Sequence, residues 1–220
     1  MIDNSYEKEY KVMHSYRIEH LISSLWNYAK PDDRIGIIGY SMFDDHIRET
    51  FKTMVFYNII PNSNFIGNDI FHHKERIFIF DVAQRQNVDV KFQFDILIFT
   101  EVLEHIFADD SLIISNVSKL IRKNGLLFFS VPNVSAFGKL IPLLIGENPY
   151  MKKEEIINGS FGGFGHIREY SFREVKRLLS NDFQIVKLMG WNDYPNTFDR
   201  IAKILPKIYA ETIFAVCLKK

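Results

Sequence analysis

Apolar residues along this chain fall into short unbroken runs, separated by stretches where they recur every three or four positions. That is the signature of strands alternating with helices. Met13, Tyr16, Leu21, Ile22 and Leu25 keep helical spacing, so residues 8–29 are predicted to form an amphipathic helix that closes at Lys30-Pro31 and packs on a sheet. Arg34–Ile38 then reads as a strand and Gly39–Phe43 as a tight turn. A helix is expected next, with Ile47, Phe51, Val55 and Ile59 on one face and Pro61-Asn62 at its end. Asn64–Asp69 reads as a second short strand and Ile77–Phe80 as a third, each closed by an aspartate. Phe71–Arg76 between them is short for a crossover helix.

Phe94–Thr100 is a fourth apolar run, Ser111–Lys123 a helix stopped by Asn124-Gly125, and Leu126–Val131 a fifth strand ended by Pro132. Residues 137–165 are rich in Gly, Pro and aromatics with weak periodicity and read as an insertion or lid. Phe172–Leu179 is a helix, and Phe183–Met189 and Thr212–Leu218 are the last two strands. Strands with continuous apolar runs, alternating with helices, imply an α/β fold with a doubly wound parallel sheet. A single domain over residues 1–220 is expected, with residues 1–30 as an N-terminal helix.

Charge narrows the partners. Lys plus Arg and Asp plus Glu both number 27, so no global field favours nucleic acid or anionic lipid. A small-molecule partner is expected. The one cysteine, Cys217, sits in the apolar run Ile213–Leu218, which excludes an internal disulfide and suggests a buried thiol in a reducing, cytoplasmic setting. The first residues carry no apolar signal core, and no run approaches the roughly 20 apolar residues of a membrane span. Residues 137–150 form an apolar patch that suits a buried lid or a homodimer contact better than a membrane.

The richest stretch is Phe94-Asp-Ile-Leu-Ile-Phe-Thr-Glu-Val-Leu-Glu-His105, in which a strand run stops at Thr100 and turns into an acidic helix. Open α/β sheets place ligands at such turns. The stretch resembles the fourth-strand motif of class I S-adenosylmethionine (SAM) dependent methyltransferases. Gly165-His-Ile-Arg-Glu-Tyr-Ser171 resembles a segment found in many of these enzymes, including ones in glycan and surface-polysaccharide pathways, and Leu126–Asn133 is similar to their strand ending in Pro-Asn. The resemblance runs from about residue 15 to 218. It implies a Rossmann-like, seven-stranded, mostly parallel sheet with helices on both faces and an antiparallel last strand. The implied cofactor is SAM, and the implied reaction is methyl transfer to a small acceptor, a sugar hydroxyl or related metabolite. No stable membrane insertion is implied.

SAM presents a ribose diol, an adenine edge, an ammonium, a carboxylate and a sulfonium, so its site needs acidic acceptors and close backbone approach. By the resemblance, Asp69 in Gly67-Asn-Asp69 takes the ribose hydroxyls, or is a turn aspartate; Asp81 takes the adenine amino group, or caps its own turn. Thr100 and Glu101 line the pocket beside the transferred group, and Glu101 also suits a helix N-terminus. The family's glycine pattern falls on Ile37, Gly39, Ser41 and Phe43, with one glycine and no acid. Gly39 and Ser41 are the cofactor candidates there, and Ile37 and Phe43 favour the alternative of a non-catalytic scaffold relative. Asp44 and Asp45 either supply negative charge or serve as first-turn acids. His166 is the candidate general base, or else forms a structural cluster with Arg168 and Glu169; Tyr170 is expected to face the acceptor. His105 is expected to be structural.

Other chemistries fit less well. A dinucleotide pyrophosphate needs an open glycine turn and a positive helix end, which Asp44-Asp45 oppose. Gly39-Tyr-Ser41-Met-Phe43 is one glycine short of a nucleophile elbow. For a metal, Glu101-Val-Leu-Glu-His105 lacks the first histidine of His-x-x-Glu-His, and His72-His73 are adjacent rather than a turn apart.

Overall fold

A computed structural model describes residues 4–39, 44–62, 76–85, 90, 92–150, 152, 165–192 and 206–220, with only the backbone of residues 4–14. The strands are β1 (Arg34–Ile38), β2 (Val55–Ile60), β3 (Ile77–Ile79), β4 (Phe94–Thr100), β5 (Ile121–Pro132), β6 (Phe183–Trp191) and β7 (Thr212–Lys219). The helices among the described residues are α1 (Asn4–Trp26), α2 (Asp44–Thr50), α3 (Asp110–Leu120), α4 (Phe137–Leu144) and α5 (Phe172–Leu179). All seven strands form one sheet in the order β3-β2-β1-β4-β5-β7-β6. β7 runs antiparallel to both its neighbours, and the other pairings are parallel.

Alternation along each strand divides the core into two layers. On β4, Ile96 and Ile98 join Leu21 and Leu25 of α1 and Ile47 of α2, while Leu97 and Phe99 join Ile113 and Val117 of α3 and Val175 and Leu179 of α5. β5 repeats the division, with Phe128 on the first side and Leu127 and Phe129 on the second. Both faces of the central strands are therefore dry, which is why their sequences are apolar without interruption. Gly36 is required by packing: a Cβ there would lie 2.6 Å from Leu97 and 2.8 Å from Ile59. α5 starts on a capping box, where the Ser171 hydroxyl accepts from the Glu174 N–H and the Glu174 carboxylate accepts from the Ser171 N–H.

Three expectations are corrected. The helix predicted to continue through Val55 and Ile59 ends at Thr50, and Val55–Ile60 is β2, paired in register with β1. Val-Phe-Tyr-Asn-Ile-Ile is made of strand formers, and its residues four apart share a face in a strand as they do in a helix. The second strand is therefore Val55–Ile60, and the expected strand Asn64–Asp69 lies outside the described residues. Second, β5 begins at Ile121, directly after α3, where a helix was expected through Lys123. Third, α4 is not a buried lid: none of its residues is buried, and Leu143, Leu144 and Ile145 are exposed.

Candidate functional site

β1 leads to β2 and β3 on one side, and β4 returns on the other, so the C-terminal ends of β1 and β4 flank a topological switch point. Sheets of this kind open a crevice there. A cavity of about 80 Å³ occupies it, lined by Ile37 and Ile38 of β1, Thr100 at the end of β4, Glu101 just beyond it, Ser130 of β5 and Trp191 of β6. Arg17, Ile18 and Leu21 of α1 cover it.

Glu101 is the polar centre of this recess. Its Oε1 accepts from the Ser130 hydroxyl at 2.7 Å, its Oε2 lies 3.3 Å from the Arg17 guanidinium, and its backbone N–H donates to the Ser130 carbonyl. Its φ is +54°, a left-handed conformation that is costly for a residue with a side chain and typical of functional turns. Gly39, across the crevice, also has positive φ, +87°, and a Cβ there would meet Val102 at 3.4 Å. A buried polar network braces Gly39 from behind: Asn58 of β2 donates to Asp44 Oδ2 at 2.6 Å and accepts from Arg48 at 2.6 Å. Asp44 is thus a buried hydrogen-bonding residue of the turn into α2.

Thr100 and Glu101 line the recess, and Gly39 lies beside it against Val102. Ser41, Phe43 and Asp69 lie outside the described residues. Asp81 follows β3 and accepts from the Ala83 N–H at 2.9 Å and the Gln84 amide at 2.8 Å, so it organises its own turn. Tyr170 is buried, and its hydroxyl donates to Asp110 at 3.0 Å. Burial, and then the Asp110 charge, raise its pKa, so the phenol is a fixed structural donor. That bond commits the hydroxyl expected to face an acceptor.

Beyond Glu101 the chain does not enter the expected α-helix but makes one 3-10 turn, Leu103–His105. This turn is clamped to the segment before α5: the Ile167 N–H donates to the Glu104 carbonyl at 2.8 Å, and His105 Nδ1 is 3.2 Å from the Gly165 carbonyl. The clamp sets His166 beside His105, their ring centroids 5.1 Å apart. Burial, and then His166, lower the His105 pKa. His166 Nδ1 lies 3.2 Å from Glu169, which also pairs with Lys139 of α4. Burial raises the Glu169 carboxyl, but the His166 and Lys139 hydrogen bonds outweigh it and the net shift is downward. Glu104 is buried, and neither carboxylate oxygen has a hydrogen-bond partner of normal geometry; only its own amide approaches. Burial, and then the Glu101 charge, push its pKa well up. Sequence reasoning treated Glu104 only as part of a motif; its burial depends on contacts some 60 residues away along the chain. A second, larger cavity of about 800 Å³ is lined by Leu103, Glu104, Phe107, Asp110, Arg168 and Tyr170, among others, and shares no lining residue with the recess.

No protein-family model matches the sequence, and a comparison with curated proteins finds no match. Solved structures do match. The N-methyltransferase NodS from Bradyrhizobium japonicum, in complex with S-adenosyl-L-homocysteine (SAH), superposes with TM-score 0.54 and 14% identity over 99% of each chain. Magnesium protoporphyrin IX methyltransferase ChlM from Synechocystis, with SAH bound, gives 0.59 and 15% over 100% of this chain and 89% of that one. A putative methyltransferase in complex with the Haloferax volcanii Trm112 activator gives 0.60 and 9% over 98% and 94%. The chain has the class I methyltransferase fold, Rossmann-like, with a seven-stranded, mostly parallel sheet.

Proposed function

We propose that this protein transfers the methyl group of SAM to a small-molecule acceptor, a hydroxyl of a sugar or related metabolite. The observation that carries the reading is Glu101: a carboxylate held in a strained backbone conformation at the switch-point crevice. A cationic ligand such as SAM, with its ammonium and sulfonium, suits an acid at that place, and strain persists where surrounding structure enforces it. Gly39, Ser41, Asp69, Asp81, Thr100 and Glu101 are the proposed cofactor residues.

In this proposal the methyl donor supplies the activated carbon, and the chain's work is alignment of donor and acceptor. His166 deals with the acceptor proton: Glu169 orients its ring through Nδ1 and leaves the other nitrogen to face a substrate. Tyr170 contributes by fixing the segment that carries His166. The acceptor class comes from the resemblance of Gly165–Ser171, because fold alone does not set a substrate.

A cytoplasmic location belongs to the same proposal, supported by the buried free thiol of Cys217. No helix among the described residues is long and apolar enough to cross a membrane. The exposed Leu143, Leu144 and Ile145 support a homodimer contact, and the balanced charge supports a small molecule over nucleic acid.

The test is calorimetric titration of the full chain with SAM and with SAH. Saturable binding of both, weakened in Asp69→Ala and Glu101→Ala, is the expected result. Failure of both to bind at millimolar concentration would leave the non-catalytic scaffold reading.

A further inference from the structure

Three potential ligand atoms converge after β4. One carboxylate oxygen of Glu104 and one ring nitrogen each of His105 and His166 lie within 4.8 Å of one another. His105 Nε2 is 3.8 Å from Glu104 Oε1. Ions such as Zn²⁺ bind at about 2.0–2.2 Å from each ligand, so ligand atoms around them sit roughly 3 to 3.5 Å apart, and closure by about 1 Å completes the set.

Two further observations point to an ion rather than to ordinary packing. Glu104 is 1% exposed, yet its two oxygens lack normal partners, an arrangement that costs several kcal/mol unless something cationic compensates. Both imidazoles are also oriented from behind. His105 Nδ1 faces the Gly165 carbonyl and His166 Nδ1 faces the Glu169 carboxylate. With those nitrogens protonated, the free lone pair of each ring sits on Nε2, and in His105 that is the nitrogen nearest Glu104 Oε1. This is how proteins prepare histidines for metals, with the outer nitrogen donating to a carbonyl or a carboxylate.

We infer that Glu104, His105 and His166 bind one divalent transition-metal cation. One carboxylate and two imidazoles suit zinc, iron or manganese and leave positions for oxygen ligands. A hydroxyl or water joining that shell is acidified. Used on an acceptor hydroxyl, such a site would replace proton removal by a free His166, with the imidazole committed to the ion. That use rests on the methyltransferase reading; metal binding itself does not.

The experiment is titration of tag-free, chelator-stripped full chain with Zn²⁺ by calorimetry, without SAM, alongside the visible absorption of the Co²⁺ form. The wild type takes up one equivalent with Kd below about 10 μM, and Co²⁺ gives absorption bands that report nitrogen and oxygen ligands. His166 is exposed, so His166→Ala folds normally; its Zn²⁺ affinity falls at least about 30-fold, with the unfolding midpoint of the metal-free protein unchanged. Glu104→Gln loses affinity likewise and unfolds no earlier than metal-free wild type. Absence of stoichiometric binding in the wild type, or wild-type affinity in His166→Ala, overturns the inference. A failure of SAM to bind leaves it untouched, because no cofactor enters the assay.

Discussion

Arg17 of α1 reaches Glu101 at the end of β4 across 3.3 Å, joining the N-terminal helix to the strained turn of the crevice. Both side chains are largely shielded from solvent. The pair closes a cavity of about 80 Å³, well under the roughly 300 Å³ at the lower end of ligand pockets. A nucleoside-sized ligand must therefore displace Arg17, and the ligand's own cationic end competes for the same carboxylate. An ion pair of this kind contributes up to about 1 kcal/mol, so Arg17→Ala is expected to tighten SAH binding about fivefold. Calorimetry on the two proteins checks this, and weaker binding would make Arg17 a ligand contact instead.

Glu101 itself separates stability from binding. Replacing it by glycine removes the penalty of a left-handed φ, worth about 1–2 kcal/mol, and also removes the bond from the Ser130 hydroxyl, worth about 1 kcal/mol, and the Arg17 ion pair, worth up to about 1 kcal/mol. Gain and losses nearly cancel. Glu101→Gly should therefore unfold in urea within about 1 kcal/mol of wild type, while SAH affinity drops at least tenfold. A large loss of stability would show that the carboxylate is needed to hold β4 against β5.

Gly39 has no such compensation. Its φ of +87° disfavours any side chain, although a Cβ there would meet Val102 only in ordinary contact at 3.4 Å. Gly39→Ala is predicted to destabilise by about 1–2 kcal/mol, read from the shift of the urea midpoint at constant slope. An unchanged midpoint would mean that the turn relaxes to negative φ, and with it the approach of the backbone to any cofactor.

These residues also show what the sequence discloses. The apolar runs of β4, β5 and β7 were legible because both faces of central strands are buried, which leaves no polar alternation to confuse with a helix. α5 has the bounds expected of it, Phe172–Leu179. The α2–β2 boundary was hidden, because Ile47, Phe51, Val55 and Ile59 are four apart and that interval keeps a common face in both elements. Thr100, Glu101 and Gly39 were legible from the strand ends they close. The Glu104, His105 and His166 cluster was not: it depends on two hydrogen bonds that clamp residues 165–167 onto the 3-10 turn, a tertiary event that no local spacing encodes.

Asp95 gives the pH dependence a definite sign. Burial raises its carboxyl, but hydrogen bonds from Arg122 at 2.5 Å and the Arg34 N–H at 2.8 Å, with the charges of both arginines, bring it below its ordinary 3.8. A carboxyl lowered by folding contributes stability that is fully present above 3.8 and disappears as pH falls through the folded value. Asp95→Asn should then be less stable than wild type by a constant margin from about pH 5 to 8, with the margin closing below pH 3.8. Urea unfolding of both proteins across that range measures it. A margin that widens in acid would contradict the assignment.

Cys217 reports on the whole sheet. It lies in β7, opposite Leu127 of β5 and Ile185 of β6, with no solvent exposure, and burial pushes its thiol up to about 12. Only the thiolate attacks a disulfide reagent, so the native thiol is both inaccessible and protonated near neutrality. β7 lies between two hydrogen-bonded neighbours, and no local fraying exposes its centre; labelling must proceed through global opening. At pH 8 a disulfide reagent should modify the native chain slower than the urea-unfolded chain by a factor on the order of the unfolding constant, roughly 10³ or more. Because the sequence holds one cysteine, the unfolded protein takes up a single equivalent. Destabilising substitutions such as Gly39→Ala should speed native labelling by the same factor by which they shift the urea equilibrium. Fast labelling of the unperturbed protein would mean that β6 and β7 open as a hairpin independent of the parallel strands.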